Sequence, residues 1–113
     1  DTAFSFAEAA IARDHEIYRL FFYLDGVHNA SSLATPPQDE SNLPARWREL
    51  VEAHNIDAVV CIAAGLRRGV LDEVEQQRYE KTGSNLNDGF TLSGLGQLID
   101  AGTHSDRLIT FGA

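Results

Sequence analysis

The sequence predicts an α/β fold, a three-layer α/β/α sandwich built on a mostly parallel sheet. Three observations predict it. Segments with helical spacing of apolar residues alternate along the chain with short β-branched or aromatic runs. Those runs are nearly continuous in apolar character, as strands buried on both faces of a parallel sheet are. Finally, 113 residues with 43% hydrophobic content suffice for one packed domain and not for two. We therefore read residues 1–113 as a single domain.

The first element is a helix with apolar positions at Ala3, Phe6, Ala7, Ala10 and Ile11, capped by Asp1 or Thr2. The chain enters this helix directly, without a preceding methionine or strand. In alternating α/β proteins an opening helix normally follows a strand, so a first strand is expected ahead of Asp1, placed centrally in the sheet. Ile17–Tyr23 then reads as a buried strand that stops at Asp25-Gly26. Residues 27–42 are the least regular stretch, with a helical turn near Asn29–Leu33 and an exposed loop at Thr35–Ser41, where Pro36-Pro37 cannot continue a helix.

Asn42 caps a second helix, with Pro44 in its first turn and Trp47, Leu50, Val51 and His54 on one face. Asp57–Ile62 is a short buried strand leading through Ala63-Ala64-Gly65 into Leu66-Arg67-Arg68-Gly69. Asp72, Glu73 and Glu75 open another helix, where negative charge suits the positive end of the dipole. Lys81–Gly89 is a turn-rich loop, Thr91 or Ser93 starts a last helix bearing Leu95, Leu98 and Ile99, and Arg107–Phe111 is expected to close the sheet as a strand. No repeat or low-complexity tract interrupts this order.

Composition narrows the function classes. Seventeen acidic against nine basic residues give a formal charge of −8. Such a surface repels a phosphate backbone, which disfavours direct nucleic-acid binding and points to a protein or small-molecule partner. No apolar run approaches the roughly 20 residues of a membrane-spanning helix, and no signal-peptide pattern opens the chain. A single cysteine excludes an internal disulfide and CxxC zinc or dithiol chemistry. A lone free thiol fits a reducing compartment, so a cytoplasmic location is expected.

That cysteine, Cys61, is the leading candidate for chemistry. It falls at the carboxyl end of a strand, the sheet edge where ligands and reactive groups gather in open parallel sheets. A thiol beside a helix N-terminus and near arginines is expected to carry more thiolate. The competing reading is a small, inert, buried hydrophobe. Arg67 and Arg68 are candidates to stabilise an anion on the sulfur or to bind an acidic partner; otherwise they are solvated charges at a helix end. His28 follows another buried strand at the same edge and is a candidate acid or base, with Asp25 as its orienting group; Asp25-Gly26 as a simple turn and Asn29 as a cap are the plainer readings.

His15, His54 and His104 show no metal-ligand spacing with one another or with Cys61. Ser93-Gly94-Leu95-Gly96 lacks the third glycine of a dinucleotide fingerprint and the lysine of a P-loop, so its small residues are expected to let the last helix pack closely. No cofactor or metal is expected.

Several stretches resemble the TusD branch of the DsrE family. They are Phe21–Ala30, Cys61–Glu73, Ser84-Asn85-Leu86 and Gly89–Leu98, with supporting matches at Phe6–Ala10 and Asp106-Arg107-Leu108. The resemblance implies a sulfurtransferase subunit working with TusB-like and TusC-like partners in a hexamer of two copies each. It further implies that Cys61 receives sulfur from a TusA-like donor and passes it to a TusE-like acceptor, in the service of 2-thiolation of the wobble uridine of certain tRNAs. The Pro36–Asp39 loop is also similar to DsrE of the DsrEFH complex of sulfur-oxidising bacteria, which leaves the choice between the two branches open.

Overall fold

The computed structural model describes residues 2–112. Its elements are α1 (Thr2–Ala12), β1 (Leu20–Phe22), a 3-10 helix (Leu24–Ala30), α2 (Leu43–His54), β2 (Ala58–Cys61), α3 (Ile62–Arg67), α4 (Glu73–Arg78), β3 (Phe90–Ser93) and α5 (Gly96–His104). The strands form a parallel sheet in the order β1-β2-β3, with Phe22 opposite Val60 and Cys61 opposite Ser93. The predicted α/β sandwich is therefore present, and β2 is the central strand of the three.

Side chains alternate across this sheet. Leu20, Phe22, Ala58, Val60, Phe90 and Leu92 point into the main core, where α1 and α2 meet them through Phe4, Trp47 and Val51. Trp47 is only 3% exposed and takes T-shaped contacts from Phe4 at 5.0 Å and Phe22 at 5.2 Å. The second face carries Phe21, Val59 and Thr91, with α5 fastened to it by polar groups. Arg19, just ahead of β1, donates to Asp57 at 2.7 Å, to Asp100 at 2.8 Å and to the Gln97 carbonyl at 2.9 Å. Tyr18 donates to the same Asp100 carboxylate at 3.1 Å. These hydrogen bonds, Arg19 first and Tyr18 second, hold the Asp100 carboxyl below its ordinary value.

Local chemistry explains the helix starts. The Asn42 side chain accepts from Ala45 N, and Pro44 occupies the first turn of α2. Asp72 caps α4 by accepting from Glu75 N at 2.9 Å. Of the two caps expected for α1, Thr2 is itself in the helix and Asp1 lies outside the described residues.

Several expectations are corrected. The buried side of α1 is Phe4 and Ala7; Phe6 is 46% exposed and packs on Phe111 instead, since the slot against Trp47 is filled by Phe4. β1 is confined to Leu20–Phe22, the residues that pair with Ala58–Val60; among the described residues Ile17–Arg19 have no ladder partner. The irregular turn expected at 29–33 is the 3-10 helix Leu24–Ala30, and Asn29 sits inside it, donating back to the Gly26 carbonyl, so it is not a cap.

Phe90–Ser93 is a strand, and the last helix starts only at Gly96. Arg107–Phe111 is not a strand: among the described residues it has no ladder partner, and it runs exposed beside α5 and α1, with Leu108 near Gly102. Gly94 and Gly96 have open space where a Cβ would stand, so they do not serve close packing. No helix among the described residues is long and apolar enough to cross a membrane.

Candidate functional site at the carboxyl edge of the sheet

Cys61 is the last residue of the central strand and the residue immediately before α3. It is a free thiol and half-buried, with part of its side chain packed against the core. Two features put it there. Ala58, Val59 and Val60 anchor β2 on both faces, at 1%, 3% and 0% exposure. Gly65 lets α3 lie close on the sheet: a Cβ at that position would stand 3.0 Å from the Val70 carbonyl oxygen and 3.4 Å from Leu92 Cδ2. The Gly65 carbonyl accepts from Val70 N at 2.8 Å, which folds the chain back under α3.

Arg67 and Arg68 lie at the other end of α3 from the thiol, about 9 Å along the axis of a six-residue helix. Arg67 is exposed. Arg68 is committed elsewhere: its Nε donates to Asp25 Oδ1 at 2.8 Å and its Nη1 to the Ala64 carbonyl at 3.3 Å. The Arg68 hydrogen bond, and then its charge, hold the Asp25 carboxyl below the ordinary value of 3.8, and nearby His28 adds to this. Asp25 therefore serves Arg68 and not His28 as its orienting partner. His28 is exposed on the 3-10 helix that follows β1, so both strand exits reach the same edge of the sheet.

Two features of this edge escaped the sequence reading. Asn85 ties three connections together: its Oδ1 accepts from Leu71 N at 2.8 Å, its Nδ2 donates to Ser31 Oγ at 3.0 Å, and its carbonyl accepts from Ser32 N. Its place in the Ser84-Asn85-Leu86 stretch was the only available signal. Glu75, expected only as one of the acids that open a helix, is 5% exposed. Its Oε2 lies 3.4 Å from Arg78 Nε, within ion-pair reach but poorly aimed for a hydrogen bond.

The other histidines lie away from Cys61. His15 and His54 line an open cleft of about 380 Å³ with Asp14 and Glu16, at the ends of α1 and α2 that precede β1 and β2. His104 pairs with Asp100 on α5. Among the described residues no group of three or more His, Cys, Asp or Glu side chains is arranged to hold a metal ion.

A parallel-sheet sandwich that offers one free cysteine at the carboxyl end of its central strand defines a class, and comparison with known proteins gives that class its family. The chain belongs to the DsrE/DsrF-like family, which matches residues 1–111. It is 59% identical over 110 residues to the Sulfurtransferase TusD homolog of Pseudomonas aeruginosa, covering 97% of this chain and 84% of that protein. It is 50% identical over 112 residues to DsrE of Allochromatium vinosum, covering 99% and 86% respectively. Among solved structures, the crystal structure of the ychN protein from E. coli superposes with a TM-score of 0.75 at 21% identity, over 97% of this chain and 84% of that one, which shows the shared fold. The family is one of sulfur-relay proteins and sulfurtransferases.

Proposed function

We propose that this chain is a sulfur-relay subunit that carries sulfur as a persulfide on Cys61. The observation that carries the reading is the position of the partly buried Cys61 at the carboxyl end of the central strand, in a chain 59% identical to a TusD homolog. Loading begins when the Cys61 thiolate attacks the outer sulfur of a donor persulfide. The donor's sulfur–sulfur bond breaks, the donor leaves as a thiolate, and the new sulfur–sulfur bond is on Cys61. Unloading repeats the exchange, with the acceptor's thiolate attacking the terminal sulfur and Cys61 leaving. Each step trades one sulfur–sulfur bond for another, so no external oxidant or reductant is consumed. The proton lost from one thiol is taken up by the other.

On this reading the chain works in the cytoplasm within a hetero-hexamer containing TusB-like and TusC-like subunits. A TusA-like protein supplies sulfur, a TusE-like protein accepts it, and the end use is 2-thiolation of the tRNA wobble uridine. The partners recognise protein surfaces, in keeping with the net charge of −8. A second reading, a DsrE-type subunit in sulfur oxidation, is favoured by the 50% identity to DsrE across 99% of the chain.

Incubation of the chain, assembled with its partners, with a persulfide donor should add the mass of one sulfur atom, and Cys61→Ser should abolish the gain. A wild-type assembly that takes up no sulfur refutes the persulfide reading and leaves a scaffold role with an inert thiol. Reconstitution with a TusE-like acceptor, as against the DsrE-type oxidation partners, separates the two branches.

A further inference from the structure

The register places the 3-10 helix beside the thiol. Phe22 pairs with Val60, the residue before Cys61, and the 3-10 helix that begins two residues after Phe22 packs against β2 and α3. Adjacent strands are about 4.8 Å apart. The start of the 3-10 helix is therefore the wall of the Cys61 edge on the β1 side. That wall is strained: Leu24 has φ 47, a left-handed conformation unfavourable for a bulky side chain, while the residue is 59% exposed. Such a conformation persists only where neighbouring contacts hold it. The next residue, Asp25, makes the 2.8 Å ion pair to Arg68, and Arg68 is itself anchored on the Ala64 carbonyl of α3. The pair thus bridges the strained wall and the helix that starts at Cys61.

Resting on the reading of Cys61 as the reactive thiol, we propose that Asp25 and Arg68 are positioning residues: their ion pair latches the 3-10 helix to α3 and sets the access of reagents to Cys61. Arg68 on this view acts through Asp25 and not by contact with the sulfur. The Asp25 side chain is 80% exposed, and exposed pairs are weak, so the latch biases a local equilibrium without holding up the fold.

The test is the rate of Cys61 alkylation by iodoacetamide in the folded full chain. Asp25→Asn and Arg68→Gln should each raise the rate about two- to five-fold, the range an exposed ion pair can supply. Asp25→Glu, which keeps the charge, and the swapped double variant Asp25→Arg/Arg68→Asp should return it toward wild type. Glu73→Gln, an exposed acid outside the pair, should leave it unchanged. Wild-type rates in both single variants, or no recovery in Asp25→Glu and the swapped pair, overturn the latch. Alkylation requires only the thiol. Normal sulfur loading with an unresponsive alkylation rate therefore defeats the latch alone, and a responsive rate without sulfur loading defeats the persulfide reading alone.

Discussion

Gly65 shows how much of the candidate site depends on a single missing side chain. The space its Cβ would need is bounded on one side by a backbone carbonyl at 3.0 Å, which cannot swing away as a flexible side chain can. Gly65→Ala must therefore push α3 off the sheet or displace the turn at Val70. Overpacking of this kind costs about 1–3 kcal/mol, against which the better helix propensity of alanine returns less than about 1 kcal/mol. Urea unfolding should show the net loss as a lower midpoint with an unchanged slope. A midpoint at or above wild type would mean that α3 is not closely seated. Cys61 is legible as a candidate because its residue type is unique in the chain and its strand is short and apolar. The Asp25–Arg68 pair is not legible, since 43 positions separate the two residues and only the crossover from β1 to β2 brings them together.

At the scale of elements, the attachment of α5 is electrostatic more than apolar. Of its apolar residues Ala101 is buried but Ile99 is 71% exposed, as is Leu95 just ahead of the helix at 60%, whereas Asp100 gathers Arg19, Tyr18 and His104. The folded-state carboxyl of Asp100 titrates below its unfolded value, so the stability it contributes is present above the ordinary value of 3.8 and is lost as pH falls through the lowered folded value. Stability measured by urea between pH 5 and about pH 2 should thus fall more steeply in wild type than in Asp100→Asn, which has no charge to lose there. Equal slopes would show that the Arg19–Asp100 pair contributes nothing to folding. The sequence contained the helical spacing of α5 but started the helix too early, because Phe90-Thr91-Leu92 is compatible with either element until Val59 and Val60 are seen to pair with Thr91 and Leu92.

The whole molecule is held by one aromatic junction. Trp47, the only tryptophan, joins α1 through Phe4 and the sheet through Phe22, and Phe22 continues the contact to Phe90 at 5.6 Å. Trp47→Ala should cost about 3–5 kcal/mol, a large share of the roughly 5–15 kcal/mol that stabilises a domain of this size. Thermal melting followed by circular dichroism should show a partly or wholly unfolded chain at 37 °C. Trp47→Phe should recover most of that loss, since among the described residues the indole N–H has no hydrogen-bond partner to forfeit.

The sequence by itself determined the α/β class, the helix capped by Asn42, the helix that acidic residues from Asp72 open, the buried strand that carries Cys61 toward its carboxyl end and the identity of the one thiol. Each follows from spacing, capping or residue type within a few positions. Tertiary structure decided which side of α1 is buried, that Phe90–Ser93 is a strand and Arg107–Phe111 is not, and that Arg68 answers to Asp25. Those outcomes turn on partners distant in sequence. A strand exists only beside another strand, and a charge is spoken for only when the fold brings its counter-charge within reach.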